Sequence, residues 1–377
     1  MKLLFTGDFA PVTPRLKTLI EKEQYEPIFN GFQEYIKAHD ISVTNLECPI
    51  GDSGHPISKV GPHLRAPLNT AKVLSWAGFN LVTLANNHIM DYGAAGLITS
   101  MEACENNQIA TVGAGENLLS AKKPFYCEKN GVKVAILNVC EHEFSIAKLE
   151  SAGANPIDII DNYDQILEAK RNATHVLLVI HGGHEYYNLP SPKVQKLYRH
   201  YINLGVDVVI GHHPHCHSGY EEYNGGLIFY SLGNFVFDRE VAKPPMWYRG
   251  YALSLTITDD KIGYYLIPYI QNQDSVGVHL LHTRLESDFK SEIDELNRII
   301  ADEKQLMNSW NDFVAGKLDK YRYRVLPTTN RYVVAFFNKF NLPVPFSKKA
   351  KLRLLNSIRC MSHNDIFVRS LEKLIEK

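Results

Sequence analysis

No two cysteines stand at a CxxC spacing: Cys48, Cys104, Cys127, Cys140, Cys216 and Cys360 are scattered through 377 residues. That excludes a disulfide scaffold and a zinc ribbon, and it fits a reducing compartment. An uninterrupted apolar run of roughly 18 residues, the length a membrane-spanning helix needs, is missing too. The apolar stretch behind Met1 is too short for a secretory leader. A soluble, cytoplasmic protein is therefore expected. Neither sign of charge dominates, since 40 basic side chains against 41 acidic ones leave a net of -1. No global field then directs the chain to nucleic acid or to membrane. What remains is the ordinary globular composition, 45% hydrophobic and 21% charged, which rules out disordered and collagen-like classes.

Short apolar runs at residues 2–5, 41–44, 81–85, 132–139, 175–180, 206–210 and 227–231 read as buried strands. Amphipathic stretches at 14–39, 69–77, 94–107, 161–172 and 191–204 read as helices, several of them opened by Asn, Asp or Ser-Pro. Their alternation predicts an α/β architecture with helices covering the sheet. Runs at 251–258 and 262–270, split by Asp259-Asp260-Lys261, predict a hairpin that closes this domain. Further on the pattern turns helical and basic. Residues 281–377 hold 18 Lys and Arg against 12 Asp and Glu, whereas residues 1–280 hold 22 against 29. A boundary near 280–290 thus separates a main domain, 1–280, from a basic, mainly helical C-terminal region, 281–377.

The chemistry lies at the ends of the apolar runs. The first leads to Asp8, the second to Asn45 and Glu47, and the third to Asn86, Asn87 and His88. Later ones lead to His181 through Glu185, to His212, His213 and His215, and to Asn234. Strand ends are where ligands bind in open α/β sheets, because loops and helix N-termini converge there. A single such residue reads as a cap or turn former; the whole set does not. Seven of the 16 histidines fall between His181 and His217, and neutral imidazole is a ligand for Zn, Mn and Fe. His213 and His215 would point apart on an extended strand, yet they can converge from a tight loop, which Gly211 and Pro214 favour. Carboxylate, amide and imidazole together suit a two-metal centre with ions about 3.5–4 Å apart.

These residues resemble the capsule synthesis protein CapA family, associated with poly-γ-glutamate capsules and related to the calcineurin-like metallophosphoesterases. The matching motifs are Gly7-Asp8, Asn45-Leu46-Glu47, residues 84–88 with Asp91-Tyr92-Gly93 close behind, and residues 181–185, 211–215 and 230–238. The resemblance implies a four-layer αββα sandwich with a metal centre at the strand ends, holding one or two ions of Mn, Zn or Fe. It implies Asp8 and His215 as ligands of one ion, Asn87, His181 and His213 as ligands of the other, and Glu47 as the bridge. His88 then resembles the catalytic histidine that protonates a leaving group or holds a phosphate oxygen. Two departures stand out. Phosphoesterases open with Asp-x-His, where this chain has Asp8-Phe9-Ala10, and Glu47 stands where the bridging residue is usually Asp. The first metal site is expected to be the weaker one.

The function implied is a metal-dependent hydrolase of a phosphoester, amide or ester bond in capsule or exopolysaccharide biosynthesis. The alternative is a non-catalytic accessory subunit that binds an anionic polymer, other capsule-synthesis proteins or a membrane. Glu185 reads either as a substrate contact or as a loop cap, and Arg65 as an anion clamp or a surface charge. Asn234 is a candidate for lining the substrate pocket, and Asp238 for that or for anchoring a loop. His184, His212 and His217 read as residues behind the ligands or on the surface. Between residues 320 and 360 ten basic residues and no acidic one are interleaved with Tyr321, Tyr323, Tyr332, Phe336, Phe337, Phe340 and Phe346. Such a stretch can hold an anionic polymer, the inner membrane face or nucleic acid, or simply pack its rings on the main domain. Nucleic acid has nothing else in its favour.

Overall fold

The computed structural model describes residues 1–273, 275–317, 339 and 347–375. Most of the basic, aromatic stretch, with all of its named aromatics, lies outside the described residues.

Two mixed sheets form the body. The larger runs in the order β16 (Val278–Leu280), β15 (Ile262–Gln271), β14 (Arg249–Ile257), β1 (Lys2–Ala10), β2 (Ile41–Leu46), β3 (Leu81–Thr83), β4 (Ala110–Val112). Strand β13 (Asn234–Phe237) also pairs with β1. The smaller runs β11 (Tyr220–Tyr223), β12 (Gly226–Phe229), β10 (Val208–His212), β9 (His175–His181), β7 (Val132–Cys140), β6 (Phe125–Lys129). A short ribbon joins β5 (Ala114–Gly115) to β8 (Gly153–Ala154). Pairing is parallel from β1 through β4 and across β7, β9, β10 and β12. Antiparallel hairpins finish the edges. This is the α/β class the alternation predicts, with the 251–270 hairpin in place.

Alternation along β1 divides the core, because successive side chains leave opposite faces of a strand. Leu3 and Phe5 join Val134, Ile136 and Leu177 of the smaller sheet, while Leu4 and Phe9 join Leu16, Ile20 and Phe32 of the N-terminal helices. The continuous helix expected over 14–39 is three pieces, α1 (Pro14–Glu21), α2 (Glu26–Phe29) and α3 (Gln33–Lys37). Asn30 at φ 45° and Gly31 at φ 83° adopt left-handed backbone that no right-handed helix continues. The other expected helices are found as α4 (Thr70–Ala77), α5 (Gly93–Asn106) and, after a short α6 (Leu118–Ala121) that the sequence pattern does not predict, α7 (Ile159–Asn172) and α8 (Pro192–Asn203). Asp158 and Ser191 cap the last two, accepting from backbone N–H groups of their first turns.

After β16 come α9 (Thr283–Ala301), α10 (Glu303–Ala315), α11 (Lys348–Arg359) and α12 (Met361–Ile375). Phe289, Trp310 and Ile366 from these helices are buried in the same core as the smaller sheet. Among the described residues no helix is long and apolar enough to cross a membrane.

Candidate metal centre

Strand β1 pairs with β14 at residues 2–5 and with β13 at residues 8–10, and its register against β2 slips between Phe5 and Asp8. A Cβ on Gly7 would collide with the Gly233 carbonyl. Glycine there lets the Asp8 N–H donate to that carbonyl at 3.1 Å. The irregularity, a device that re-aims side chains, brings Asp8 to the ends of β2 and β10. Its Oδ1 accepts from Asn45 Nδ2 at 2.8 Å and lies 2.9 Å from His212 Nδ1.

Glu47, just past β2, is fully buried, and neither of its carboxylate oxygens has a hydrogen-bond partner; Asp8 Oδ2 has none either. Imidazoles surround these orphaned atoms. From Glu47 Oε1, His181 Nε2 lies 3.7 Å away and His215 Nε2 3.6 Å. His181 Nε2 is 3.1 Å from both Asn87 Oδ1 and His213 Nδ1, and His215 Nδ1 is 3.4 Å from Asp8 Oδ2. Two triplets result, Asp8 with Glu47 and His215, and Glu47 with His181 and His213, the ligand atoms of each within 4.8 Å of one another. Glu47 belongs to both. Donors around a tetrahedral zinc bound at about 2.0–2.1 Å stand about 3.3–3.5 Å apart, close to these separations. Buried carboxylate oxygens without a donor are costly, and a cation between the triplets would satisfy all three. The residues present therefore fit a divalent ion, or two sharing Glu47.

His213 and His215 reach different triplets from one tight loop. His213 takes φ 95° and His215 φ 57°, left-handed conformations that β-carbon sterics disfavour and that cluster at functional sites. Charge is apportioned unevenly. Burial pushes the Asp8 carboxyl up, but contacts with His212 and His215 outweigh it and hold it well below the ordinary range. Burial, and then the Asp8 charge, push Glu47 well above that range. Burial and the neighbouring His213 keep His181 neutral.

His88 sits on a turn made by Asn86, whose Oδ1 accepts from the backbone N–H groups of His88 and Ile89 at 3.1 and 2.9 Å. Its Nδ1 lies 2.7 Å from Asp91 Oδ2, and Lys59 pairs with the other oxygen of Asp91. Burial, and then the charge on Lys59, push the His88 imidazole down to about 4. A cavity of 630 Å³ opens over His88 and His215. Lys17, Arg65, Arg239 and Lys243 line it, opposed by Glu185 and Glu240.

The fold brings Asp8, Glu47, Asn87, His181, His213 and His215 into one buried cluster, with His88 at the cavity beside it. The candidate substrate contacts are placed differently from one another. Glu185 is exposed on the cavity wall. Arg65 also lines the cavity, but its guanidinium stacks 3.3 Å from the Tyr92 ring centre and donates to the Asp52 and Ser53 carbonyls at 3.2 and 3.1 Å. Asn234 is fully buried behind His215: its Nδ2 donates to the His215 carbonyl at 3.1 Å and its Oδ1 lies 3.0 Å from His215 Nδ1. Asp238 accepts from Thr13 and Arg15 and anchors a loop. His212 stands behind Asp8, whereas His184 and His217 touch Trp310 and Phe289 of the C-terminal helices. Sequence reasoning misses the roles of Asn45 and Lys59; the first is part of the Asn45-Leu46-Glu47 motif, and nothing local marks the second.

Residues 2–239 match the family model described as bacterial capsule synthesis protein PGA_cap. The chain belongs to that family. It is 34% identical over 233 residues to the capsule biosynthesis protein CapA of Bacillus anthracis, a match covering 59% of this chain and 57% of that protein. It is 35% identical over 240 residues to the PGA biosynthesis protein CapA of Bacillus subtilis (strain 168), covering 62% and 63%. A probable polyglutamine synthesis accessory protein of Mycobacterium tuberculosis (strain CDC 1551 / Oshkosh) is 27% identical over 241 residues, covering 60% and 63%. The chain thus spans about three fifths of the length of these relatives. Every residue of the buried cluster lies inside the PGA_cap match, and helices α9 to α12 lie outside it.

Proposed function

We propose that this PGA_cap protein is a metal-dependent hydrolase, built as a four-layer αββα sandwich, acting on a phosphoester, amide or ester bond of an anionic capsule polymer or its precursor. The observation that carries this reading is Glu47: a buried carboxylate with no donor, shared by two ligand triplets. Asp8, Glu47 and His215 would hold one ion, and Glu47, His181, His213 and Asn87 the other. When bound, such ions of Mn, Zn or Fe polarise a substrate oxygen and acidify water.

The chain's own groups do the rest. Lys17, Arg239 and Lys243 line the cavity with positive charge and hold a polyanion against it. His88, held through Nδ1 beside Asp91 and Lys59, lines the cavity. Burial and Lys59 favour its neutral form, and an anion seated beside it favours the imidazolium, which then has a proton for the leaving group. Asp91→Asn is expected to lower kcat by about 10²–10³-fold, the range of one acid-base contribution, with bound metal unchanged by elemental analysis. Undiminished turnover in that variant would remove His88 from the mechanism.

A second reading, a subunit of the polymer-synthesis machinery that grips polymer without cutting it, takes support from the word accessory in the name of the M. tuberculosis relative. Contact with the inner membrane face through Lys348, Lys349, Lys351 and Arg353 on α11 belongs to that reading. The deciding assay takes chelated protein, restores Mn, Zn or Fe, and offers phosphomonoesters, phosphodiesters and poly-γ-glutamate. Metal-dependent turnover is expected. Polymer binding without turnover on any substrate favours the accessory role.

A further inference from the structure

The junction of α11 and α12, beyond the PGA_cap match, is pressed into the loop after β7. Cys360 Sγ donates to Glu141 Oε2 at 3.0 Å, and the Ser362 N–H donates to the same oxygen at 3.0 Å. Two residues along the loop, Glu143 Oε1 lies 3.6 Å from His363 Nε2 and 3.9 Å from Cys360 Sγ. These three donor atoms stand within 4.8 Å of one another. Cys360 is 1% exposed and Glu143 9%, while the His363 side chain at 29% leaves a path from solvent.

We infer that Glu143, Cys360 and His363 form a third cation site, separate from the Glu47 centre and suited to a zinc-class ion. Donor chemistry selects the metal: a thiolate beside an imidazole disfavours Mg and Ca and favours zinc. Size agrees as well. A tetrahedral zinc with Zn–S of about 2.3 Å and Zn–N or Zn–O of about 2.0–2.1 Å separates its donors by about 3.3–3.6 Å, so the 3.6 and 3.9 Å gaps from Glu143 to His363 and Cys360 need to close by at most a few tenths. On binding, the Cys360 S–H bond breaks, its proton goes to solvent, and an Sγ–metal bond forms. Glu141 or water supplies the fourth donor. Because Glu143 and Cys360 are 217 residues apart, the ion would clamp the C-terminal helices to the main body. That clamp borders a 140 Å³ cavity whose wall also includes His213 of the Glu47 centre.

The competing account is a plain Glu143–His363 ion pair with a bystander thiol, and cobalt separates the two. The chelated full chain is titrated with Co(II), and a thiolate-to-cobalt charge-transfer band is expected to appear and to saturate. Cys360→Ser abolishes the band and His181→Ala retains it, since the Glu47 centre contains no cysteine ligand. Zinc-loaded Cys360→Ser holds one zinc per chain fewer than the parent. If Cys360→Ser does not fold, His363→Ala carries the test, with cobalt affinity in the band at least tenfold weaker. No band in the parent protein, unchanged zinc in Cys360→Ser, or unchanged affinity in His363→Ala overturns the site. Loss of the band in His181→Ala would overturn its separateness.

Discussion

His181→Ala is expected to cost the Glu47 centre the ion of its Glu47, His181 and His213 triplet and to lower turnover by two or more orders of magnitude. Nε2 of this residue stands within 3.1–3.7 Å of Asn87, His213 and Glu47, so its removal opens the middle of one triplet. Losing a group that merely orients a ligand costs about 10–100-fold in metal affinity; losing the ligand itself should exceed that. His212→Ala is the control. It removes a partner of Asp8 that belongs to neither triplet, and its loss of metal should stay within the smaller range. The pH dependence has a definite sign. Burial and His213 depress the folded pKa of His181 below 6.5, so the stability its neutral form contributes is present above pH 6.5 and declines as pH falls toward the folded value. Metal retention should therefore weaken on the acidic side. Elemental analysis across pH 5–8 checks both statements, and full metal in His181→Ala would break the ligand assignment.

The strand ends were legible because burial and polarity change together there: a run of apolar residues must stop where the chain leaves the sheet, and Asp8, Glu47 and His181 sit at those stops. The convergence of His213 and His215 was legible in outline from Pro214, though the left-handed backbone that achieves it was not. Helix 14–39 failed for the opposite reason. Its apolar spacing runs through Asn30-Gly31, and the local punctuation proved stronger than the periodicity. The collision that makes Gly7 necessary involves Gly233, and the ion pair that holds His88 involves Lys59. Contacts between residues so far apart leave no periodic mark. Arg65 illustrates the same limit, since a guanidinium already stacked on Tyr92 looks, in sequence, like any free one. His184 and His217 read from sequence as lying near the site or the surface, yet each meets an aromatic ring of a C-terminal helix that no motif ties to it.

At Glu47 a reversal of stability is expected between the metal-free and metal-loaded protein. Without metal, burial and the ionised Asp8 raise the Glu47 pKa well above 4.5, and its oxygens find no donor. A carboxyl whose folded pKa is raised contributes stability that is present below pH 4.5 and is lost as pH rises through the folded value. Glu47→Gln removes this liability while keeping the shape. In chelator near pH 8 the variant should therefore be the more stable protein, by about 1–3 kcal/mol, the cost of an unsatisfied buried group, and the gap should narrow toward pH 5. Saturating metal reverses the order. A ligand at 100 times its Kd stabilises the folded state by about 2.7 kcal/mol, and the neutral amide forfeits most of that gain because it cannot bridge two cations as a carboxylate does. Thermal unfolding of both proteins, with chelator and with Mn or Zn, reads the crossing directly. Should Glu47→Gln be the less stable protein in chelator as well, Glu47 is a satisfied structural carboxylate, and its place at the centre of a metal site fails with it.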